Sequence, residues 1–529
     1  MFKVLISDDV SKECIEILGA SDLIEVTFNT KLTPEELKAA IGEFDALIVR
    51  SATKVRAGIL DAASRLKVIG RAGAGVDNID VRKATEKGVV VMNTPGGNTV
   101  STAEHAFSLM LSLARNIPQA NRSVKEGVWN PKKYVGVELR GKTLGIIGLG
   151  NIGRAVAVRA LAFNMRVLGH DPFISSEMAD RLSIELSDLD RIWAESDFIT
   201  VHTPLNESTH HLINTDTLAK CRHGVRLINC ARGGIFDETA VLAALESGHV
   251  AGAALDVYEK EPPGNNPLSL HDRVVSTPHL GASTAEAQDI VAVMIAEQVR
   301  DFLLRGEVRN AVNIPPIAPE MYEQLKPFAG LGVNMGSLLG QLGEGQLKSI
   351  TITYYGEVRN FDTWVVTSSI LEGLFTRGYS EGVNLVSAQN TAEKLGIRVK
   401  EIKSSDEMDY KSSIEIMLTT TKGSLSLLGA IFGKDHQRIV RFQEYEVEFV
   451  PEGCFLICGN KDRPGIIGDI GTVLGRKGIN IAHMTWARRY PGGEAIVILN
   501  TDEKVDTGTL ATVKTISGIE WATCIELGD

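Results

Sequence analysis

Along the N-terminal half of the chain, short apolar runs alternate with stretches of helical spacing. Val4–Ile6, Ala46–Val49 and Val68–Ile69 are brief runs dominated by aliphatic residues, whereas Ser11–Leu18 and Pro34–Ile41 repeat apolar positions every three or four residues. The alternation predicts a small parallel sheet with helices on both faces, over residues 1–98. Three strand ends carry polar groups: Val49-Arg50-Ser51, then Gly70-Arg71 running into Asp77-Asn78, and Met92-Asn93 running to Asn98. Ligands of open α/β sheets bind beyond the carboxyl ends of the strands, which makes Arg50, Arg71 and Asn98 candidates for gripping an anion. One arginine alone reads equally well as a solvated surface charge; two at adjacent strand ends, with Gly-rich turns, favour binding.

Ser101-Thr-Ala-Glu104 has the form of a capping box. The helix it would open, to about Arg115, is apolar almost all round, the pattern of a helix that is fully buried or packed in a subunit interface. Thr143–Ile147 then reads as a buried strand. It ends in Gly148-Leu-Gly150-Asn-Ile-Gly153, a G-x-G-x-x-G turn, and helical spacing follows through Val156 and Leu161. Gly148 permits the tight turn, Gly150 lets a pyrophosphate approach the backbone, and Gly153 lets helix and strand pack closely. A second strand over Met165–Gly169 leads to Asp171, 18 residues beyond Gly153. A carboxylate there accepts hydrogen bonds from ribose hydroxyls and repels a 2′-phosphate, so NAD is favoured over NADP. The plainer reading is an αβ turn with a capping Asp.

Strands over Phe198–His202, Val225–Asn229, Gly252–Val257 and Val274–Ser276 complete a doubly wound sheet. A long amphipathic helix runs from Ser283 to about Leu304, and the Pro-rich stretch at 315–319 suits a linker. Residues 317–452 read as an α+β domain without a catalytic constellation. The last segment, 453–529, has the order strand, helix, strand, strand, helix, strand of a ferredoxin-like sandwich.

A chain of 529 residues has room for three or four domains, and 44% hydrophobic with 23% charged residues is an ordinary globular balance. The net charge of −11 argues against a nucleic-acid or anionic-membrane surface. It leaves open a small anionic substrate held by a local cluster of Arg or Lys. The six cysteines are scattered, which suits free thiols in a reducing cytoplasm. Cys454 and Cys458 lie in a strand-like run with no second ligand pair nearby, so no metal site is expected. The N-terminus lacks the pattern of a signal peptide, and the longest apolar stretch is too short and polar to span a bilayer.

Three further signatures sit at strand ends: Asn229-Cys230-Ala231-Arg232-Gly233-Gly234, Asp256 leading to Glu261-Pro262, and Thr277-Pro278-His279-Leu280-Gly281. Oxidation of an alcohol by hydride transfer needs a base for the hydroxyl proton and a cation for the adjacent carboxylate and carbonyl oxygen. His279 suits the base, Arg232 the cation, and Glu261 the partner that orients the imidazole. Singly, His279 reads as a structural histidine and Glu261-Pro262 as a loop; it is their combination downstream of the nucleotide turn that points to chemistry.

The stretches GRAGAGVDNID, NTPGGNTVSTAEHA, GKTLGIIGLGNIGR, NCARGGIFDE, AALDVYEKEPP and PHLGASTAEAQ resemble the D-2-hydroxyacid dehydrogenase family, and the resemblance covers the whole chain. It implies an α/β, two-lobed architecture: a substrate-binding domain over 1–98 and 284–313, and an NAD-binding Rossmann domain over 99–283. An α+β intervening domain would follow over 317–452, then a ferredoxin-like ACT regulatory domain over 453–529. By resemblance Arg232, Glu261 and His279 carry catalysis without a metal. Ala74, Gly148, Gly150, Asn151, Ile152, Gly153, Asp171, Thr203, Cys230, Ala231, Asp256, Leu280, Gly281 and Ala282 join Arg232 and His279 around NAD. Arg50, Ser51, Arg71, Gly73 and Asn98 would form the substrate groove, with Lys132 or Lys133 reaching a neighbour's substrate beside Trp129. The implied reaction is oxidation of 3-phosphoglycerate in serine biosynthesis. The implied assembly is a dimer through the NAD-binding domains and a tetramer through the C-terminal ones. Asn460, Asp462 and Asn480 are the implied L-serine site. Two other readings stay open: a hydroxypyruvate or glyoxylate reductase, and an NAD-sensing corepressor-like protein. The extra C-terminal residues weigh against both.

Overall fold

Five parallel strands form the first sheet: β1 (Phe2–Ile6), β2 (Ile24–Phe28), β3 (Ala46–Val49), β4 (Val68–Arg71) and β5 (Val90–Met92), in spatial order β2-β1-β3-β4-β5. The computed structural model describes residues 1–316, 319–376 and 383–527. Separate apolar clusters cover the two faces of this sheet, which is why its strands read as unbroken apolar runs rather than as alternation. One face is covered by the helix Ala285–Arg305, which comes back after the second sheet is complete. A Cβ on Gly70 would fall 2.7 Å from Ile295 Cγ1 and 2.8 Å from Val299 Cγ2, so the glycine in β4 lets this helix lie directly on the strand. Behind it, Asn313 accepts a hydrogen bond from the Val91 amide and ties the returning chain to β5.

The second sheet has seven strands: β6 (Thr143–Ile147), β7 (Arg166–His170), β8 (Glu185–Leu186), β9 (Phe198–Val201), β10 (Val225–Asn229), β11 (Val250–Leu255) and β12 (Val274–Ser276). The order β12-β11-β10-β9-β6-β7-β8 is parallel throughout and reverses direction between β6 and β9. That reversal opens the crevice in which such sheets bind ligands.

The expected capping box at Ser101–Glu104 is not formed. The helix spans Thr99–Ala114, with Asn98 at its N-cap, because the Gly96-Gly97 turn starts it early. Ser101 therefore lies inside the helix and donates to the Asn98 carbonyl, while Glu104 pairs with Arg159 at 3.0 Å. The nearly all-apolar surface of this helix is mostly consumed within the chain, against the helix Asn151–Ala162 and strands β10–β12. Trp129, on the segment that follows, is 82% exposed.

The third sheet comprises β13 (Leu347–Gly356), β14 (Arg398–Lys403), β15 (Ser412–Thr420), β16 (Ser424–Phe432), β17 (His436–Phe442) and β18 (Tyr445–Phe449), antiparallel except for the β13–β14 pair. Two helices, Pro319–Leu342 and Trp364–Thr376, cross its face. The first of these is rich in glycine, yet the glycines do not break it. Gly332, Gly336 and Gly340 recur every fourth residue on one side, and a Cβ on Gly336 would fall 2.0 Å from the Ile370 carbonyl oxygen. Gly373 meets the Val333 carbonyl in the same way, so the two backbones touch. The linker expected at 315–319 lies partly outside the described residues.

The fourth sheet is antiparallel: β19 (Cys454–Lys461), β20 (Ile481–Arg488), β21 (Glu494–Thr501) and β22 (Ile519–Glu526), in order β20-β21-β19-β22. Two helices, Ile466–Arg476 and Thr507–Lys514, cover one face. From the other face, Phe455, Ile457, Ile496, Ile498 and Ile525 enter a core shared with the third sheet. Cys14, Cys221, Cys230, Cys458 and Cys524 are free thiols. No described helix is long and apolar enough to cross a membrane.

Candidate active site

The loop after β6 makes the nucleotide turn. Gly148 has φ +92°, and a Cβ on it would sit 2.5 Å from the His202 carbonyl oxygen, so only glycine fits between these two strand ends. A Cβ on Gly153 would fall 2.0 Å from the Gly148 carbonyl, whereas Gly150 faces open space. The helix Asn151–Ala162 starts at Gly150 without a side-chain cap, leaving its first amides free for a pyrophosphate. Asn151 accepts from Arg154, and Ile152 packs against the core. Thr203, at the end of β9, has a buried hydroxyl with no partner, an unmet polar group facing the same turn. Burial holds the neighbouring His202 down at about 4, so it stays neutral. Asp171 accepts from the Leu149 amide at 2.7 Å and the Phe173 amide at 2.8 Å. Its carboxylate thus braces the Gly-rich loop while retaining lone pairs for a ribose. Phe173, which the sequence reading passed over, is 95% exposed beside it. These features fit NAD.

The loop after β12 carries His279, whose φ of +57° is unusual for a residue other than glycine. Buried Asp256 imposes this conformation. Its backbone carbonyl accepts from the His279 amide, and its carboxylate accepts from the Leu280 amide at 2.7 Å, the Gly281 amide at 2.9 Å and the Thr277 hydroxyl at 2.6 Å. His105 Nε2 lies 3.1 Å from the same carboxylate. Burial pushes the Asp256 carboxyl up, but the hydrogen bonds from His105, Thr277 and Leu280 more than offset this and hold it below the ordinary carboxylate value. Asp256, expected beside the cofactor, acts here as the organiser of the loop that bears His279, Leu280, Gly281 and Ala282. His105 had no signal in the sequence, because its partners lie 151 and 172 residues away.

His279 Nδ1 is 2.8 Å from Glu261 Oε2, leaving the other ring nitrogen for substrate. Burial raises the Glu261 carboxyl, and the hydrogen bond and charge of His279 bring it below its usual value, so it is anionic at neutral pH. The Arg232 turn packs on the same segment: a Cβ on Gly233 would fall 1.8 Å from the Tyr258 carbonyl, and Tyr258 donates its amide to Glu261. Ala231 links both sides of this turn: its carbonyl accepts from Arg232 Nη1, and its amide donates to Asn229 Oδ1. Cys230 is buried, and its thiol is pushed far up by burial and then by Asp256, which makes it inert.

Across the cleft, Arg232 Nε donates to Asp77 Oδ2 at 2.8 Å. The Gly73–Gly75 loop passes between the guanidinium groups: a Cβ on Gly75 would fall 1.8 Å from Arg232 Nη2, and one on Gly73 1.5 Å from Arg71 Nη1. Ala74 in the same loop gives its carbonyl to Asn93. Arg71 is lowered to about 10, chiefly by burial and then by Arg232, and its Nε has no partner. Asp8 fixes the third arginine by accepting from the Arg50 amide, the Thr53 amide and the Thr53 hydroxyl. Asp8 and Asp77 were both missed as site residues, since each acts through a partner on another strand. Ser51 is exposed, and Asn98 donates to Thr102 at 3.2 Å.

The remaining expectations are not drawn into this site. Lys132 and Lys133 lie on an exposed turn, Pro131–Tyr134, with no contact to the three arginines. Asp462 is engaged by Arg488 at 2.7 Å and the Gly492 amide at 3.0 Å, and Asn480 donates to Asp502 at 2.6 Å. Asn460 is 1% exposed, with its side-chain oxygen unpartnered. Among the described residues no cluster of potential ligands could hold a metal ion.

Residues 107–281 match the family model of the D-isomer specific 2-hydroxyacid dehydrogenase NAD binding domain, 324–443 that of the D-3-phosphoglycerate dehydrogenase intervening domain, and 455–518 that of the ACT domain. The chain is 45% identical over 528 residues to D-3-phosphoglycerate dehydrogenase of Archaeoglobus fulgidus, covering 99% of this chain and 100% of that protein. It is 42% identical to the enzyme of that name from Bacillus subtilis, covering all of both chains. Among solved structures, D-lactate dehydrogenase from Aquifex aeolicus, complexed with NAD and lactic acid, is similar over 59% of this chain and 100% of its own, with 28% identity and a TM-score of 0.52. The paired His279 and Glu261, the uncapped nucleotide turn and these full-length matches agree: the chain belongs to the long-form D-3-phosphoglycerate dehydrogenases, NAD-dependent oxidoreductases of the D-2-hydroxyacid dehydrogenase family.

Proposed function

We propose that this chain oxidises 3-phospho-D-glycerate to 3-phosphohydroxypyruvate, the first step of L-serine biosynthesis. The observation that carries the proposal is the meeting of Arg71 and Arg232, from two lobes, at the Gly73–Gly75 loop, on a chain whose Arg232 turn packs against the segment of the His279 partner. A substrate with a carboxylate and a phosphate brings about three negative charges. Arg50, Arg71 and Arg232 answer that charge. His279 takes the C2 hydroxyl proton, and Arg232 holds the carboxylate and the carbonyl oxygen as it forms. NAD, when bound, supplies the acceptor for the C2 hydride. NADH formation with 3-phosphoglycerate, compared with glycerate and lactate, tests the substrate; equal kcat/KM for all three would refute it.

The dyad gives the first prediction. His279→Asn should bind NADH within a few-fold of the native protein and lose kcat by about 10²–10⁴-fold. Because the Glu261 carboxyl is depressed, it is ionised throughout the neutral range and loses its charge only as pH falls through its lowered value. Glu261→Gln should therefore reshape the near-neutral pH profile of kcat by acting on the imidazole. A profile identical to the native one would detach Glu261 from the mechanism.

Cofactor choice rests on Asp171. Asp171→Ala should raise KM for NAD and relax discrimination against NADP, in steady-state kinetics with each cofactor. Its hydrogen bond from the Leu149 amide braces the Gly-rich loop and that from the Phe173 amide its own turn, so a modest loss of thermal stability should accompany the change.

For assembly, we infer a homodimer through the NAD-binding domains and a tetramer through the C-terminal ones. Ile117, Val124, Val128, Trp129 and Val135 are each more than half exposed on one short stretch, which supports the first contact. By this reading Lys132 or Lys133 reaches the neighbour's substrate phosphate. Sedimentation at micromolar concentration should show no monomer, and Trp129→Glu should break the first contact and leave dimers joined through the C-terminal domains.

We further propose that L-serine binds at Asn460, Asp462 and Asn480 between paired ACT domains in a cytoplasmic enzyme. The buried, unpartnered oxygen of Asn460 supports a polar occupant. Asp462 has to give up or share its bond to Arg488 to receive an ammonium group. Calorimetry should detect serine binding that Asp462→Ala abolishes; heat that is absent in the native protein leaves the domain a structural role.

A further inference from the structure

The ion pair between Arg232 and Asp77 spans the two lobes. Asp77 lies on the loop after β4 in the first sheet, and Arg232 on the loop after β10 in the second. The Asp77 side chain is 67% exposed, so solvent and solutes reach it, while the Arg232 side chain is 30% exposed. Asp77 is not anchored by other side chains. Its backbone carbonyl accepts from Arg56, but its carboxylate has Arg232 as the only partner among the described residues. Asp8, the other acid near the cluster, is committed to the Arg50–Thr53 loop. Of the three guanidinium groups, Arg50 donates to the Asp9 carbonyl, Arg71 to the Ala72 carbonyl, and Arg232 alone is neutralised by a carboxylate. Arg71 lies close enough to both Arg232 and Asp77 to be influenced by each.

We propose that Asp77 is a displaceable internal counter-ion: it occupies Arg232 while the cleft is empty, and the carboxylate of an entering substrate takes its place. The inference rests on Arg232 being the carboxylate-holding group, as proposed above. A carboxylate at Asp77 presents to Arg232 the same chemistry that a 2-hydroxy acid presents, from the facing lobe. It keeps the guanidinium extended across the cleft instead of folded into solvent. It also makes the empty site a weaker trap for stray anions, because an incoming group gains Arg232 only by displacing a partner already there. Ligands whose carboxylate fits Arg232 while a second anionic group reaches Arg50 and Arg71 overcome that competition; simple monoanions do not.

The two roles open to Asp77 predict opposite signs. As a displaceable counter-ion it competes with the ligand, so neutralising it strengthens anion binding. As a static strut it positions Arg232, so removing it weakens binding. Asp77→Asn, measured by calorimetry with oxalate on the NADH-loaded protein, should lower Kd about three- to tenfold, the scale of a partly solvated ion pair. KM for the hydroxy-acid substrate should fall with it, and selectivity for phosphate-bearing over simple 2-hydroxy acids should narrow. Unchanged or weaker oxalate binding would overturn the proposal. Arg232→Ala serves as the companion variant: if it binds oxalate as the native protein does, the role given to Arg232 is at fault, whereas weaker binding there beside unchanged binding in Asp77→Asn isolates the failure to Asp77. Should Asp77→Asn lose NADH binding, Asp77→Ser repeats the neutralisation with a smaller side chain, and loss of the fold in both variants would make Asp77 a strut.

Discussion

The site depends on one buried carboxylate. Asp256 has no exposed surface and fills its acceptor positions with the Leu280 and Gly281 amides and the Thr277 hydroxyl, with His105 alongside. A buried charge is costly unless it is fully hydrogen-bonded, and here the bonds that satisfy it are also the bonds that shape the loop. They hold His279 in a left-handed backbone conformation that the residue would not adopt on its own. That conformation aims the ring at Glu261 and leaves the far nitrogen free. The strain is local, and the surrounding network over-determines it.

The local features of the chain were legible because their causes are local. The strand-to-helix turn at Gly148–Gly153 needs glycine for reasons visible in a short stretch, and Asp171 follows at a fixed spacing because one helix and one strand intervene. His279, Glu261 and Arg232 stood out by residue type and strand-end position, and the fold brings His279 to 2.8 Å from Glu261. What pairs with them across the fold was not. Asp77 meets Arg232 over 155 residues, and His105 meets Asp256 over 151, distances at which no periodicity carries information. The glycine-rich helix ending at Leu342 carries no such local signal. Glycine lowers helix propensity by about 1 kcal/mol relative to alanine, yet three glycines at four-residue spacing let two helix backbones touch, and tertiary packing overrides the local preference. Ser101–Glu104 shows the converse: a well-formed capping pattern is idle when a turn upstream has already begun the helix.

The way the domains are joined restricts how a regulatory signal could reach the chemistry. Among the described residues, the third domain meets the first lobe where Asn384 donates to the Gly88 carbonyl at 2.8 Å, Lys394 pairs with Glu86 at 2.9 Å, and Val386 and Trp364 pack with the first lobe's core. Residues 86–88 form the turn into β5, whose far end leads to Asn93 and thence to the Ala74 carbonyl of the Gly73–Gly75 loop. The fourth domain shares its core with the third rather than with either catalytic lobe. A ligand at the C-terminal sheet therefore changes turnover only by a contact that differs between two arrangements of these packed units. The contact at 86–88 bears on the first lobe, which holds Arg50, Arg71 and Asp77, while His279 and the nucleotide turn belong to the second. Displacement at that turn would shift the Asp77 side of the cleft against Arg232 and leave the His279–Glu261 geometry intact, so such a signal would act on substrate capture before it acted on proton transfer.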